Sequence, residues 1–252
     1  MKSIRFDTRQ VRATLDGLMT ETRRPFKFEP YRPGINLGFS GMSLGEYCTG
    51  DINSGVVLYS RGRGGSWNQR TKPVKPPYQK GDILYVRERI DNRPEHGNFY
   101  YHADDKGVGE AVFSALISKG LSSKKSIPSI HMPREAARII LRVTEARVER
   151  LQDITWQETL LEGIDHDNGQ DDNLCNYCPI EESHRGVKNY GSGPSFCVDT
   201  GMCEEAKLHF KDDCIDCFAE IWDSVYKSRG YGWDVNPWVW VIKFERVSEV
   251  SE

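Results

Sequence analysis

The 252-residue chain has no apolar run long enough to cross a membrane and no excess of positive charge. Its longest apolar stretch, PWVWVIKF at residues 237–244, is far shorter than the roughly 20 residues that a transmembrane helix needs. The N-terminal MKSIRFDTRQ has no apolar core of the kind found in signal peptides. We therefore expect a cytoplasmic protein that does not contact membranes, and the net charge of −3 means that any nucleic-acid contact must come from local patches.

The sequence also lacks an internal repeat and any H-E-x-x-H pattern, so it predicts neither a solenoid nor a catalytic zinc of the metalloprotease kind. Its hydrophobic and charged fractions, 38% and 28%, are ordinary for a globular protein. The length allows one domain with substantial insertions. We expect a single domain over residues 1–252, interrupted by a Gly- and Pro-rich insertion at about 25–79 and a cysteine-bearing one at about 165–205.

Secondary-structure signals alternate between strand and helix along the chain. Asp7 and Thr155 are each followed three residues later by Gln or Glu, which predicts capping boxes that open two helices. The apolar alternation of residues 139–148 slips by one position near Glu145, which predicts a bulge in a curved sheet. Strands are predicted at residues 3–6, 81–89, 98–104, 139–148 and 238–245, with further helices near 111–117 and over 204–228. This pattern favours an α+β fold around a small curved sheet.

Four of the seven cysteines form two pairs in the second insertion. They have the spacing of metal knuckles: Cys175, Cys178, Cys197 and Cys203. A tetrahedral zinc ion takes four thiolates, and metal would stabilise a segment too polar to fold alone, so we predict a structural zinc site. Free thiols and an iron–sulfur cluster remain alternatives, with His184 as a possible replacement ligand.

Cys214 and Cys217 have the same C-x-x-C spacing but a different setting. Both fall on the apolar face of the long helix predicted for residues 204–228, in register with Phe210, Phe218 and Ile221. Buried cysteine behaves as a small hydrophobic residue, so we predict that this pair packs in the core and binds no metal.

Five separated segments occur in the order found in one known family: DGLMTETRR, GDILYVRE, YHAD, the block from PSIHMPREAARIILRVTEARVERLQDIT to EGI, and WDS followed by NPWVWVIKFERV. Together they resemble the ASCH family of the PUA-like superfamily, in the long form encoded by phages and prophages. The resemblance covers residues 3–24, 80–104, 126–164 and 217–247, about half of the chain. It implies a small β-barrel with flanking helices, and it places the protein in a bacterial host cell.

The resemblance also implies a ligand cleft beside the barrel, because related PUA-like domains bind RNA or modified nucleotides there. One small bacterial ASCH group removes the acetyl group from N4-acetylcytidine, using a lysine and a threonine of a G-x-K-T-x-T-x-R turn and a glutamate on the helix after the central strand. Thr20, Thr22 and Arg24 match that turn, and Glu162 falls where the glutamate would be, so Thr22 and Glu162 are the candidate catalytic residues. Met19 replaces the lysine, and its thioether can neither act as a base nor stabilise negative charge.

Each candidate residue also has a simpler interpretation. Thr20 and Thr22 could cap the turn's backbone, Arg23 and Arg24 could be a solvated surface pair, and Glu162 could be an ordinary exposed helix residue. Trp67 lies between arginines in a predicted hairpin, where it could stack on an unpaired base or simply be a partly buried loop residue.

Three functions compete at this stage. The leading hypothesis is binding of RNA, single-stranded DNA or a modified nucleotide in a cleft that includes Thr20, Thr22, Arg23, Arg24, Glu88 and Glu162, with Trp67 as a further contact. The second is an amidohydrolase acting on N4-acetylcytidine or a related modified base. The third is a non-catalytic phage accessory protein that binds protein partners through the cysteine segment.

Overall fold

The computed structural model of the protein describes residues 1–29, 43–46, 52–60, 69–93, 97–164 and 204–247. Trp67, His184 and the cysteines at 175, 178, 197 and 203 lie outside this part of the chain. The described helices are α1 (Thr8–Leu15), α2 (Glu110–Ser118), α3 (Trp156–Leu161) and α4 (Glu204–Tyr226). The prediction of an α+β fold is confirmed in this part of the chain. None of the helices that the structure describes is long and apolar enough to cross a bilayer.

The strands belong to three sheets. The main sheet has the order β1-β6-β10-β11-β2, with β1 (Lys2–Arg5), β6 (Ile83–Arg87), β10 (Ile140–Arg150), β11 (Trp238–Val247) and β2 (Glu21–Pro25). The first insertion contributes β3 (Ser43–Glu46), β4 (Val56–Ser60) and β5 (Gln69–Arg70). The third sheet has the order β8-β7-β9, with β7 (Ile90–Arg93), β8 (Asn98–Tyr101) and β9 (Ser126–Ile127).

Both predicted capping boxes are confirmed. The Asp7 side chain accepts from the Gln10 backbone N–H at 2.8 Å and opens α1, and Thr155 with Glu158 opens α3 in the same way. The predicted bulge is confirmed as well, because the pairing of β10 with β11 shifts register between Val143 and Glu145. These features depend on residues close together in sequence, which is why they could be predicted locally.

The two faces of the main sheet are covered by different elements. One face carries the largest core, in which α1 and the first insertion pack through residues such as Val11, Val56 and Leu58. The other face packs against α3 and α4 through Val239, Val241 and the α4 side chains of Phe218 and Trp222. A third core lies under the β8-β7-β9 sheet and α2.

The closed β-barrel that the resemblance implies is not formed by the described strands. β1 and β2 are the two edges of an open five-stranded sheet and share no backbone ladder. The sheet is nonetheless curled, since its two edge strands come close enough for a hydrogen bond. Arg24 on β2 donates from Nη2 to the carbonyl oxygen of Arg5 on β1 at 3.0 Å. A side chain, and not a backbone ladder, therefore joins the two edges.

Candidate functional site

Six charged side chains meet between the main sheet and α3, and we call them the charged cluster: Glu21, Arg23, Arg147, Glu149, Glu158 and Glu162. Glu21 and Arg23 alternate on β2 and therefore point to the same face, as do Arg147 and Glu149 on β10. Glu158 is the third residue of α3 and Glu162 is its C-cap, four residues later, so both lie on one side of that helix. The sheet and the helix thus bring charged residues into one interface.

Arg23 is at the centre of the charged cluster, and its side chain is 0% exposed. Nη1 lies 2.7 Å from Glu21 Oε1 and 3.2 Å from Glu162 Oε1. Nη2 lies 2.6 Å from Glu149 Oε1 and 3.2 Å from Glu158 Oε2. A planar guanidinium with five N–H donors suits this arrangement, and a lysine could not satisfy four carboxylates in the same way.

Arg147 forms the outer layer of the charged cluster. Its Nε donates to Glu149 at 3.0 Å and its Nη2 donates to Glu158 at 2.8 Å. Arg147 is 25% exposed, and Glu149 and Glu158 are 17% and 22% exposed. These three side chains connect the buried Arg23 to solvent, so a ligand would meet them first.

Glu162 is the most perturbed carboxyl group of the charged cluster. Burial raises its pKa to about 7, although Arg23 and Arg24 act in the opposite direction, and Glu21 raises it further. Burial lowers the pKa of Arg23, but the carboxylates of Glu162, Glu149 and Glu21 outweigh that effect and raise it overall. Arg23 therefore stays charged, while Glu162 gains or loses its proton near neutral pH.

Two polar atoms of the charged cluster have no hydrogen-bond partner in the described part of the chain. They are Oε2 of Glu21 and Nη1 of Arg147, which lie 3.5 Å apart. Lys243 Nζ is 3.7 Å from the same Glu21 oxygen. The Glu21 oxygen and the Arg147 nitrogen therefore attract each other as an ion pair, although neither makes a hydrogen bond within the described part of the chain.

The structure brings together two of the residues proposed from sequence, Arg23 and Glu162. The simpler interpretations of both are wrong, because Arg23 is fully buried and Glu162 is only 3% exposed. Sequence reasoning did not include Glu21, Arg147, Glu149 and Glu158 in the site. The alternation of Glu and Arg in ETRR and in EARVER was the signal that could have found them.

The two threonines of the turn, Thr20 and Thr22, have different places in the fold. Thr22 pairs with Ile242 in the register of β2 and β11, and its fully buried hydroxyl faces the largest core without a partner among the described residues. Thr20 uses its backbone: its N–H donates to the Leu161 carbonyl at 3.0 Å, and its carbonyl accepts from Phe244 at 2.8 Å. Thr20 therefore ties α3 to the sheet, and Thr22 lies on the sheet face opposite to Glu162.

Arg24 lies at the rim of the charged cluster. Its guanidinium wraps around the β2 edge, 3.0 Å from the Arg5 carbonyl and 3.4 Å from the Tyr226 hydroxyl. It is half-buried, and it lowers the pKa of Glu162. The interpretation of Arg24 as a freely solvated residue is therefore wrong as well.

Glu88 belongs to a different place in the molecule. Both of its carboxylate oxygens accept from Arg138, at 2.8 and 2.9 Å, and Arg138 also donates to Asp104 at 2.8 Å. Glu88 lines a pocket of about 150 Å³ beside the start of α1, and no residue of the charged cluster lines that pocket. The single cleft predicted to contain Arg23, Glu88 and Glu162 together is thus divided between two locations.

Met19, which lies at the position where the resemblance implies a lysine, is a core residue. It is 2% exposed and packs in the largest core cluster. A Cβ placed on Gly163 would lie 3.4 Å from the Met19 Cβ, so Met19 adjoins the end of α3 next to Glu162. The methionine therefore fills space at the position where the resemblance implies a basic group.

The proposed zinc ligands lie outside the described residues. Within the described part of the chain, no group of three or more His, Cys, Asp and Glu side chains is arranged to hold a metal ion. Cys214 is 0% exposed, as predicted for a core cysteine, and burial raises the pKa of the half-buried Cys217 thiol.

No protein family, curated protein or solved structure matches this chain. The chemistry of the charged cluster and the resemblance carried by the sequence motifs are therefore the two sources for a functional proposal.

Proposed function

We propose that this chain is an ASCH-type protein that binds a nucleobase, either in a modified nucleoside or as an unpaired base of RNA or single-stranded DNA, at the charged cluster. The observation that carries the proposal is the 3.2 Å contact between Arg23 and Glu162, whose pKa of about 7 lies in the range typical of functional sites. The resemblance implies a turn residue and this glutamate in one cleft, and the contact supports that arrangement.

The composition of the charged cluster favours recognition of a base over recognition of phosphate. Four carboxylates surround two guanidinium groups, so an added phosphate would meet net negative charge. Carboxylates accept hydrogen bonds from exocyclic amines, and a planar guanidinium such as that of Arg147 can stack on a flat ring. The Glu21 oxygen and the Arg147 nitrogen, which are ion-paired without a hydrogen bond, match a ligand edge that carries a donor beside an acceptor.

Titration calorimetry with cytidine, N4-acetylcytidine and a short unstructured RNA tests this proposal. Arg147→Ala should weaken binding at least tenfold, because it removes the partly exposed guanidinium of the charged cluster. Arg142→Ala is the matched control, since Arg142 is an exposed arginine on the same strand that pairs only with Glu245 in the described part of the chain. Equal affinities for the two variants would contradict the proposal.

Salt dependence gives a second measurement on the same complexes. If the base supplies the recognised group, affinity for a free nucleoside should change little between low and moderate salt. A steep loss of affinity with salt for the RNA, of the kind produced by release of counterions from phosphates, would assign binding to the nucleic-acid backbone instead. Arg24→Ala distinguishes recognition of the base from recognition of the nucleic-acid backbone, because Arg24 lies at the rim of the charged cluster.

Amide hydrolysis is the second candidate function, and the protonation of Glu162 near neutrality is the observation that favours it. A carboxyl group with that pKa is suited to general acid–base catalysis. The burial of Met19 and the orientation of Thr22 toward the core are unfavourable to the nucleophile and base that the resemblance implies. Incubation with N4-acetylcytidine, followed by detection of cytidine, tests it. Hydrolysis that Glu162→Gln abolishes would support catalysis. Recovery of intact substrate would contradict it and leave binding as the proposed function.

A further inference from the structure

The pocket that contains Glu88 lies where strand ends and a helix start converge. β1 and β6 run parallel, and Phe6 and Glu88 follow their last residues. Helix α1 begins at Thr8, so its first turn forms one wall of the pocket. The carboxyl ends of adjacent parallel strands are a frequent place for ligand crevices, because loops and helix starts enclose them there.

The floor of the pocket is apolar and firmly packed. Phe6, Val11 and Ala103 line it, and each is at most 3% exposed. A cavity of about 150 Å³ holds one six-membered aromatic ring, as engineered cavities of that size do. The size and floor therefore suit a single flat ring.

The polar wall of the pocket is fixed before any ligand binds. His102 Nδ1 lies 2.6 Å from Asp91 Oδ2, and Arg89 holds the other oxygen of Asp91 at 2.9 Å. Since Nδ1 is engaged, Nε2 is the His102 nitrogen that remains for a ligand. Glu88 is held by Arg138 through both oxygens and is 2% exposed.

The charges around the pocket are unfavourable to an anion, because Arg89, a cation in its lining, is already paired with Asp91. The Asp7 carboxylate already occupies the start of α1, where it accepts the Gln10 backbone N–H, and Glu88 adds a second carboxylate. Thr8 and Ser129 contribute hydroxyl groups to the same wall. Acceptors and donors above an apolar floor match a neutral ring that carries both kinds of polar group.

We propose that this pocket is a second binding site, separate from the charged cluster, for a neutral six-membered nitrogen heterocycle with an N–H donor beside a ring-nitrogen acceptor. The ring lies on Phe6, Val11 and Ala103. Its N–H group donates to Glu88 or to the accepting Nε2 of His102, and its ring nitrogen accepts from the hydroxyl of Thr8 or Ser129. This site depends on no residue of the charged cluster, so either site can fail without the other.

Amide NMR titration of the full chain with three single-ring probes tests the proposal. 2-Aminopyrimidine, which has the required donor and acceptors, should shift the signals of His102, Ala103 and Ser129. Toluene and benzoate should bind at least tenfold more weakly, because toluene lacks polar groups and benzoate is an anion. Equal binding of toluene would reduce the site to an apolar cavity, and binding of benzoate would make it an anion site. Either result overturns the proposal, as does the absence of binding by 2-aminopyrimidine.

Substitutions locate the bound ring. Ala103→Leu fills the pocket and should abolish the binding of 2-aminopyrimidine, whereas Ala111→Leu on the exposed surface of α2 should leave it unchanged. Should Ala103→Leu not fold, His102→Ala removes a half-exposed side chain and should weaken binding at least fivefold, with the exposed His131→Ala as its control. Binding that survives these changes but is lost in Glu162→Gln would place the ring in the charged cluster and overturn the proposal.

Discussion

At the scale of single residues, the charged cluster shows how burial changes the chemistry of ordinary side chains. A glutamate in water is ionised at neutral pH, whereas Glu162 retains its proton up to about pH 7 because burial disfavours its charged form. Arg23, although equally buried, stays charged because carboxylates surround it. Burial thus disfavours the charge of both groups, and Arg23 keeps its charge because several carboxylates surround it.

The pKa of Glu162 predicts how stability depends on pH. The unfolded chain loses this proton near pH 4.5, and the folded chain holds it until about pH 7, so ionisation favours unfolding between these values. The free energy of unfolding should fall by roughly 3 kcal/mol over that window, since each unit of difference between the folded and unfolded pKa corresponds to about 1.4 kcal/mol. Urea unfolding at several pH values should show this slope in the wild type and lose it in Glu162→Gln.

Glu245→Gln is the matched control for that measurement, because Glu245 is an exposed carboxylate on β11. It should leave the slope between pH 4.5 and 7 unchanged. A slope that persists in Glu162→Gln would show that another group is responsible, and the assignment of a raised pKa to Glu162 would then be wrong.

Met19→Lys tests whether the lysine implied by the ASCH resemblance can be accommodated. Met19 is 2% exposed, so an ammonium group there must lose its hydration, and we expect a loss of about 3 kcal/mol in the free energy of unfolding. Met19→Leu, which conserves volume, should cost less than about 1.5 kcal/mol. A Met19→Lys variant as stable as the wild type would mean that the new ammonium reaches a carboxylate such as Glu162, which would favour the hydrolase hypothesis.

At the scale of elements, α3 is held in place by close contacts at its C-terminal end. Arg9 on α1 donates to the Glu162 and Gly163 carbonyls, at 3.2 and 2.6 Å. Gly163 has a φ of +76°, and a Cβ there would lie 2.6 Å from the Ala13 Cβ. The position of Glu162 therefore depends on the tight approach of α1 to the residue after it.

Gly163→Ala tests this packing against a glycine of similar backbone conformation. Gly17, after α1, has a φ of +78° but nothing within 4 Å of its would-be Cβ. Gly17→Ala should cost about 1 to 2 kcal/mol from the left-handed conformation alone. Gly163→Ala should cost clearly more, and it should also lower the pKa of Glu162 by loosening its surroundings. Equal losses of stability in urea unfolding would show that the α1–α3 contact does not constrain the site.

At the scale of the whole molecule, the two candidate sites lie at different junctions between elements. The charged cluster lies between the main sheet and α3, and the Glu88 pocket lies between α1, the ends of β1 and β6 and the loop after β8. At each junction, no single element supplies hydrogen-bond partners for all of the polar groups that it brings. Such junctions are common places for ligands, because unsatisfied polar groups and cavities coincide there.

The proposed zinc site makes a prediction about the complete chain. Elemental analysis of the purified protein should find one zinc per chain, and substitution of Cys175, Cys178, Cys197 and Cys203 by serine should remove it and lower thermal stability. Cys214→Ala should keep the metal, because that thiol is fully buried in α4 and is not one of the proposed ligands. Iron in the analysis together with a brown colour would show that the four cysteines hold an iron–sulfur cluster and not zinc. A metal-free wild-type protein would contradict the proposed site.

The sequence by itself determined the elements that depend on neighbouring residues. The Asp7 and Thr155 capping boxes, the bulge before Glu145 and the apolar face that carries Cys214 all follow from spacings of a few residues, and the structure confirms each of them. The sequence also indicated that Arg23 and Glu162 lie in one place, although that inference required the order of motifs in a family and not any local pattern.

Only the tertiary structure decided which residues share a site and how they ionise. Alternation along a strand shows that Glu21 and Arg23 point the same way, but it cannot show which helix covers them. It likewise could not reveal that Thr22 faces the core, that Glu88 lies in a separate pocket, or that the two sheet edges meet without closing a barrel. The physical reason is that burial and charge pairing depend on distances in space between residues far apart in the chain.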